Sequence, residues 1–209
     1  WGSDLPSAAI HLVNPPRMRV GEGDGTPNEM AMACGEPVVL TSSLRDGSLR
    51  SEAASRGTPV LLYEAGEGLR FDEMAVRAGL AGILRVMRGQ DMLPAKGIAR
   101  AKVAPHICTS SSWLRAPAGG LLRTFRAEGE TVEEGDVLAT VSDPFGVVET
   151  DLIAPNAGIL IGRAILPVVN EGDAVFHLAR LSPRAVEATV DDLATQLETD
   201  PLFDEDEII

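Results

Sequence analysis

The sequence predicts an α/β layer followed by an all-β module. Two observations carry this expectation. In the first hundred residues, short apolar runs alternate with stretches of helical periodicity, the pattern of strands and helices sharing one layered sheet. Beyond them one segment occurs twice. Ala116-Pro117-Ala118-Gly119-Gly120-Leu121-Leu122 leads into Val132-Glu133-Glu134-Gly135-Asp136-Val137-Leu138. Ala154-Pro155-Asn156-Ala157-Gly158-Ile159-Leu160 leads into Val169-Asn170-Glu171-Gly172-Asp173-Ala174-Val175. Self-similarity in register points to paired copies of one supersecondary unit.

Taken in order, Val38-Val39-Leu40 and Val60-Leu61-Leu62-Tyr63 are apolar runs bounded by turn residues, and both read as buried strands. Gly47–Arg56 between them can form a helix ended by Gly57. Phe71–Met87 places Met74, Val76, Leu80, Ile83, Leu84 and Met87 at helical spacing, with charges elsewhere, so it reads as a helix packing that face on a sheet. The resulting sheet is parallel or mixed. Residues 89–108 hold Gly, Pro and basic residues without a clear period, and read as a linker or an edge strand. Each repeat copy reads as a short strand, a turn at Glu-Gly-Asp or its equivalent, and another strand. Two interlocked copies make a small closed β-sandwich, which resembles the barrel-sandwich fold of biotinyl and lipoyl carrier domains. The tip between the halves, 143–151, holds no Lys, so no amine is available for acylation, and the module is a scaffold or lid. Ala185–Leu197 has helical spacing (Val186, Val190, Leu193, Leu197), and Asp204–Glu207 begins an acidic end read as a solvated tail.

Composition narrows the function. A chain of 209 residues, 44% hydrophobic, can bury a sizeable core in one or two domains. No apolar run reaches the ~18 residues needed to span a membrane, and no signal-peptide pattern opens the chain. The start at Trp1 without Met suggests a piece of a longer protein. Cys34 and Cys108 are far apart, which suits unpaired thiols in a reducing cytoplasm. A net charge of -13 argues against nucleic acid as a partner.

The chemistry centres on Tyr63-Glu64-Ala65-Gly66-Glu67-Gly68-Leu69-Arg70, where glycines and two carboxylates follow an apolar strand. Ligands of α/β sheets bind at such strand ends, and a carboxylate beside an apolar wall can serve as a general base. The alternative is structural: Glu67 caps the next helix and Glu64 pairs with Arg70. Ser110-Ser111-Ser112 lacks a Gly-x-Ser-x-Gly context. His11, His106 and His177 show no metal-ligand spacing, so the residues themselves assign no metal ligand.

Three strings resemble the succinylglutamate desuccinylase/aspartoacylase family: Leu44–Arg50, Gly57–Glu67 and Ala78–Leu84. Trp113–Pro117, Ser142–Gly146 and Val169–Asp173 extend the resemblance to about residues 4–180. It implies the C-terminal part of a zinc-carboxypeptidase-like α/β hydrolase domain over 1–102, an all-β barrel-sandwich module over 103–180, and an acidic tail over 181–209. It implies a zinc-dependent hydrolase of an amide bond in an N-acyl amino acid or peptide-like compound, with Glu64 on the catalytic glutamate position and Glu67 beside it. Arg19 and Arg70 are candidates for substrate binding. The family takes zinc ligands from an upstream His-x-x-Glu motif, which this sequence lacks, and from the His of Asp-Leu-His-Thr. Here Asp4-Leu5-Pro6 puts a proline, with no donor atom, at that position. Either the parent protein has lost its metal, or the start carries a sequence error, or His11 substitutes. The chain by itself is expected to be inactive and to hold no zinc tightly. The alternative reading is a catalytically inactive homologue acting as a binding or scaffold protein.

Overall fold

The computed structural model describes residues 12–21, 25–68, 70–101 and 104–181. Pro6, His11, the stretch 185–197 and the acidic end lie outside the described residues.

The first part is a mixed layer. Strand β1 (Leu12–Val20) leads into α1 (Gly25–Cys34) and then β2 (Val38–Thr41), which pairs parallel to β1 from Arg17↔Val38 to Val20↔Thr41. Helix α2 (Leu49–Ser55) follows, with Ser48 as its N-cap accepting from the Ser51 amide at 3.1 Å. Gly57 takes φ +71 just beyond the helix, a left-handed conformation that costs glycine nothing. Strand β3 (Leu62–Glu67) runs antiparallel to β1. The β1–β3 register shifts between Asn14 and Arg17, across Pro15-Pro16, where the prolines have no N–H to give a ladder. Helix α3 (Glu73–Gly89) is capped by Asp72, whose carboxylate accepts from the Ala75 amide.

Two expectations are corrected here. The strand read at Val60–Tyr63 begins at Leu62 and continues to Glu67, so Glu64 stands inside the strand rather than at its end. Helix α3 does not pack its large apolar residues on the sheet. It buries Ala78, Gly79, Ala81, Gly82 and Arg85, while Met74, Val76, Leu80 and Ile83 are exposed. Close approach decides this: a Cβ at Gly82 would lie 2.2 Å from Cys34 Sγ, and one at Gly79 would lie 2.9 Å from the Tyr63 ring. Small residues let α3 seat on α1 and β3, as larger ones would not.

The β part comprises β4 (His106–Cys108), β5 (Ser111–Arg115), β6 (Gly120–Thr124), β7 (Thr131–Val132), β8 (Val137–Ser142), β9 (Glu149–Ile153), β10 (Gly158–Ala164), β11 (Val168–Val169) and β12 (Ala174–Arg180). They form two sheets. One has eight strands and runs β4-β2-β1-β10-β12-β5, with β3 on β1 and β7 on β10; the other is β11-β6-β8-β9. Leu114, Leu122, Leu138, Val141, Leu160, Phe176 and Leu178 fill the core between them.

The repeat is visible in the hydrogen bonds. Ala116 N–H donates to Asp173 O and Gly172 N–H to Ala116 O; Ala154 N–H donates to Asp136 O and Gly135 N–H to Ala154 O. Each copy's Ala-Pro is clasped by the other copy's Gly-Asp turn. The turns match as well: Asp136 Oδ2 accepts from Glu133 N–H, and Asp173 Oδ2 from Asn170 N–H. The expected closed β-sandwich is corrected in one respect. The sheets do not close into a barrel, because β10 leaves the module to pair with β1 at Leu12↔Ala164 and Val13↔Arg163.

Candidate functional site

The two faces of β1 serve different ends. Met18 and Val20 point into the core with Ala31, Cys34 and Val39. Arg17 and Arg19, alternating with them, take the opposite face. There Arg17 stands directly across from Glu64. The Arg17 guanidinium reaches Glu64 Oε2 at 2.9 Å through one terminal nitrogen and at 3.1 Å through Nε. Arg19 reaches the same oxygen at 3.2 Å. Glu64 thus answers two guanidinium groups with one oxygen, and no described residue bonds Oε1.

Arg17 is 4% exposed and also donates to the Ile161 carbonyl of β10. Burial draws its pKa down, and the Glu64 carboxylate opposes that. The Arg19 Nε is buried without a hydrogen-bond partner. Arg50 of α2 lies within electrostatic reach: burial lowers its pKa, then Arg19 lowers it further, while Glu64 raises it. Arg50 donates weakly to Ser42 Oγ at 3.4 Å. It also lines a cavity of about 240 Å³ with Gly21, Gly25, Pro27, Leu44 and Thr58, at the C-terminal ends of the parallel pair β1 and β2. That is where α/β sheets place ligands.

The β part contributes His177, 4% exposed, from β12. Its Nε2 lies 2.9 Å from Ser111 Oγ, its ring stacks on Trp113 with centroids 4.2 Å apart, and its Nδ1 is buried without a partner. Burial first, then Arg17 and Arg19, push its pKa down to about 3, so the imidazole is neutral.

The candidate residues therefore separate. Glu64 and Arg19 come together. Glu67 pairs with Arg70 at 3.1 Å, and the two border a different groove beside α3. The structural alternative fails in both halves, since Glu64 pairs with Arg17 and Arg19, and Asp72 caps α3. Arg17 and Arg50 carry no expected role from the sequence, and His177 and Ser111, weighed there only as a metal ligand and a nucleophile, meet as a packed pair beside Trp113. Arg17-x-Arg19 on a strand was a usable signal: two cations on one face of an acidic chain.

The described residues do not fit a zinc ion. Among the described residues no three His, Cys, Asp or Glu side chains converge. Glu64 is engaged by two cations, and His177 is fixed between Ser111 and Trp113. Among the described residues no helix is long and apolar enough to cross a membrane.

No protein-family model and no curated protein matches the chain. Solved structures do. A succinylglutamate desuccinylase/aspartoacylase from Rhodobacter sphaeroides is similar at 22% identity and TM-score 0.69, covering 84% of this chain and 56% of its own. The product-bound ectoine utilization protein EutE (DoeB) from Ruegeria pomeroyi is similar at 20% identity and TM-score 0.68, over 81% of this chain and 55% of its own. A family protein described as a succinylglutamate desuccinylase/aspartoacylase from Shewanella amazonensis gives 17% identity and TM-score 0.66, over 79% and 51%. The chain spans about half the length of these structures. The fold of this chain is that of the matching portion, a little over half, of the succinylglutamate desuccinylase/aspartoacylase structures.

Proposed function

We propose that this chain supplies the anion-recognition and proton-transfer side of a hydrolase that cleaves the amide bond of N-acyl amino acids. The observation that carries the reading is the convergence of Arg17 and Arg19 on Glu64, with Arg50 beside them. An N-acyl amino acid always carries a carboxylate, and a guanidinium fork binds carboxylates in the plane. Amide hydrolysis needs a group that takes a proton from attacking water and returns one to the leaving amine. Glu64 keeps Oε1 for that purpose while Oε2 is anchored. The names of the similar structures, desuccinylase and aspartoacylase, agree with an acidic substrate. On this reading residues 1–102 belong to the hydrolase domain and 103–180 to the β-module, and the protein acts in the cytoplasm. Zinc, which the family resemblance implies, finds no ligand set among the described residues.

The test uses the longest natural polypeptide that contains this chain, assayed against N-succinyl and N-acetyl derivatives of glutamate, aspartate and leucine. Turnover is expected on the acidic derivatives. Glu64→Gln should lower it by ~100- to 10,000-fold, and Glu67→Gln by much less. Glu64→Gln also removes the charge partner of buried Arg17, at about 1.5–3 kcal/mol, so thermal melts must accompany the kinetics. Equal turnover of Glu64→Gln and wild type removes Glu64 from the mechanism. The inactive-homologue reading is favoured by Pro6 at the ligand-histidine position; binding of acyl amino acids without hydrolysis would establish it.

A further inference from the structure

Two strand irregularities meet on one side chain. The β1–β3 ladder shifts between Asn14 and Arg17, and the β10–β12 ladder shifts between Leu160 and Gly162. Leu160 pairs with Leu178 and Gly162 with His177, so Ile161 is left out of its ladder. Such an extra residue bends its strand, re-aims nearby side chains and leaves its own main chain unpaired. Both shifts serve Arg17. The first immediately precedes it on β1. The second offers it the Ile161 carbonyl, which accepts from one terminal nitrogen of the guanidinium. The other terminal nitrogen and Nε hold Glu64 Oε2 at 2.9 and 3.1 Å. Strands β3 and β10 lie on opposite edges of β1, since Val13 pairs with Glu67 on one side and with Arg163 on the other. The fork of Arg17 therefore spans from the strand that carries Glu64 to a strand of the β part.

Exposure divides the cations. The Arg17 side chain is 5% exposed, Arg19 21% and Glu64 31%. A ligand arriving from solvent meets Glu64 and Arg19, with Arg17 beneath them. A buried planar fork that already grips two acceptors is fixed in direction and is not free to turn to a substrate carboxylate. We propose that Arg17 is a positioning residue: it aims the Glu64 carboxylate from the β part, through Ile161, and leaves Arg19 and Arg50 to meet the substrate's anion. Its catalytic meaning rests on the proposed hydrolysis; the mechanical link does not. A lysine at this position would keep the charge, but a compact ammonium cannot hold Oε2 twice and reach β10 in one plane.

The link is read by NMR on the 209-residue chain, without substrate. The Gly162 amide shares a peptide unit with the Ile161 carbonyl. Glu64→Gln should shift the Gly162 resonance, while the Thr140 amide of β8, in the other sheet, stays in place. In an Arg17→Lys background the same substitution should leave Gly162 unmoved. A Gly162 resonance blind to Glu64→Gln overturns the proposal, and that comparison stands even where Arg17→Lys does not fold. The consequence is read by kinetics on the longest natural polypeptide that contains this chain. Arg17→Lys should lower kcat by ~100-fold, the cost of a reacting group misplaced by about 1 Å, with KM little changed. Arg19→Lys should instead raise KM. Unchanged kcat in Arg17→Lys overturns the proposal, and so does a raised KM with kcat kept, which would make Arg17 a substrate-binding residue. Absence of turnover in the wild type counts against the hydrolase reading alone, and the Gly162 resonance then decides the link through Arg17.

Discussion

Arg17 shows how one side chain is made to hold charge in a place that resists it. A buried guanidinium left without partners would cost several kcal/mol. Glu64 across the ladder and the Ile161 carbonyl of β10 both answer it. His177 answers the same field differently, by staying neutral. Its folded pKa, pushed down to about 3, lies below the ordinary 6.5. The unfolded chain therefore binds a proton that the folded chain refuses as pH falls below 6.5. The stability that neutral His177 preserves is fully present above pH 6.5 and is lost progressively as pH falls towards 3. Across that window the loss is on the order of a few kcal/mol. Carboxylates titrate there too, so the measurement is a difference. Urea midpoints of wild type and His177→Gln should move apart from pH 7 to pH 4, with the variant losing less. Parallel curves would show that His177 charges without cost. Glu64 was legible in the sequence, because it follows an apolar run and falls in a string that resembles a family motif. Arg17 and His177 were not, because their partners stand far away in sequence and only the sheet register brings them together.

At the level of elements, the sequence shows where helices lie better than which side they turn inward. Hydrophobic periodicity marked α3 correctly and pointed to the wrong face, since it weighs Leu80 and Ile83 above Ala78 and Gly82. What packs is set by how close the neighbour must come. Gly82 makes this measurable. An Ala in a helix interior is favoured over Gly by about 1 kcal/mol. At Gly82 the added Cβ would lie 2.2 Å from Cys34 Sγ, in the buried seam between α3 and α1. Overpacking of that kind costs about 1–3 kcal/mol, so the clash wins and Gly82→Ala should lower the melting temperature. Gly89→Ala meets only Ala33 Cβ at 3.4 Å, an ordinary contact, and should leave the melting temperature unchanged or raise it. A rise for Gly82→Ala would mean that α3 sits further from α1 than described.

Over the whole molecule, the internal repeat was readable because its signals are local: Ala-Pro before a strand, Gly-Asp at a turn, in the same order twice. The continuity of the large sheet was not readable. The β1–β10 ladder joins residues far apart in sequence, and no pattern within a strand names its partner. Pseudo-symmetry extends below the turns. Strands β6 and β10 each begin with a glycine, each pair with a short strand of the other copy, and each lie beside their own copy's long strand. A Cβ at Gly120 would fall 2.2 Å from the Ser142 carbonyl oxygen, and one at Gly158 would fall 2.3 Å from that of Ala179. In both halves the obstacle is main chain, which a rotamer change cannot clear. Gly120→Ala and Gly158→Ala should therefore each destabilise the chain by about 1–3 kcal/mol and by similar amounts. The two sites lie in different sheets, so the double variant should lose close to the sum. Gly119→Ala, whose Cβ would come no nearer than 3.7 Å to any atom, is the control and should be close to neutral. Urea midpoints of the four variants against wild type decide it. A tolerated Gly120→Ala beside a severe Gly158→Ala would mean that the halves share a shape without sharing the load. The sheet that also carries β1 would then be the one that holds the molecule together.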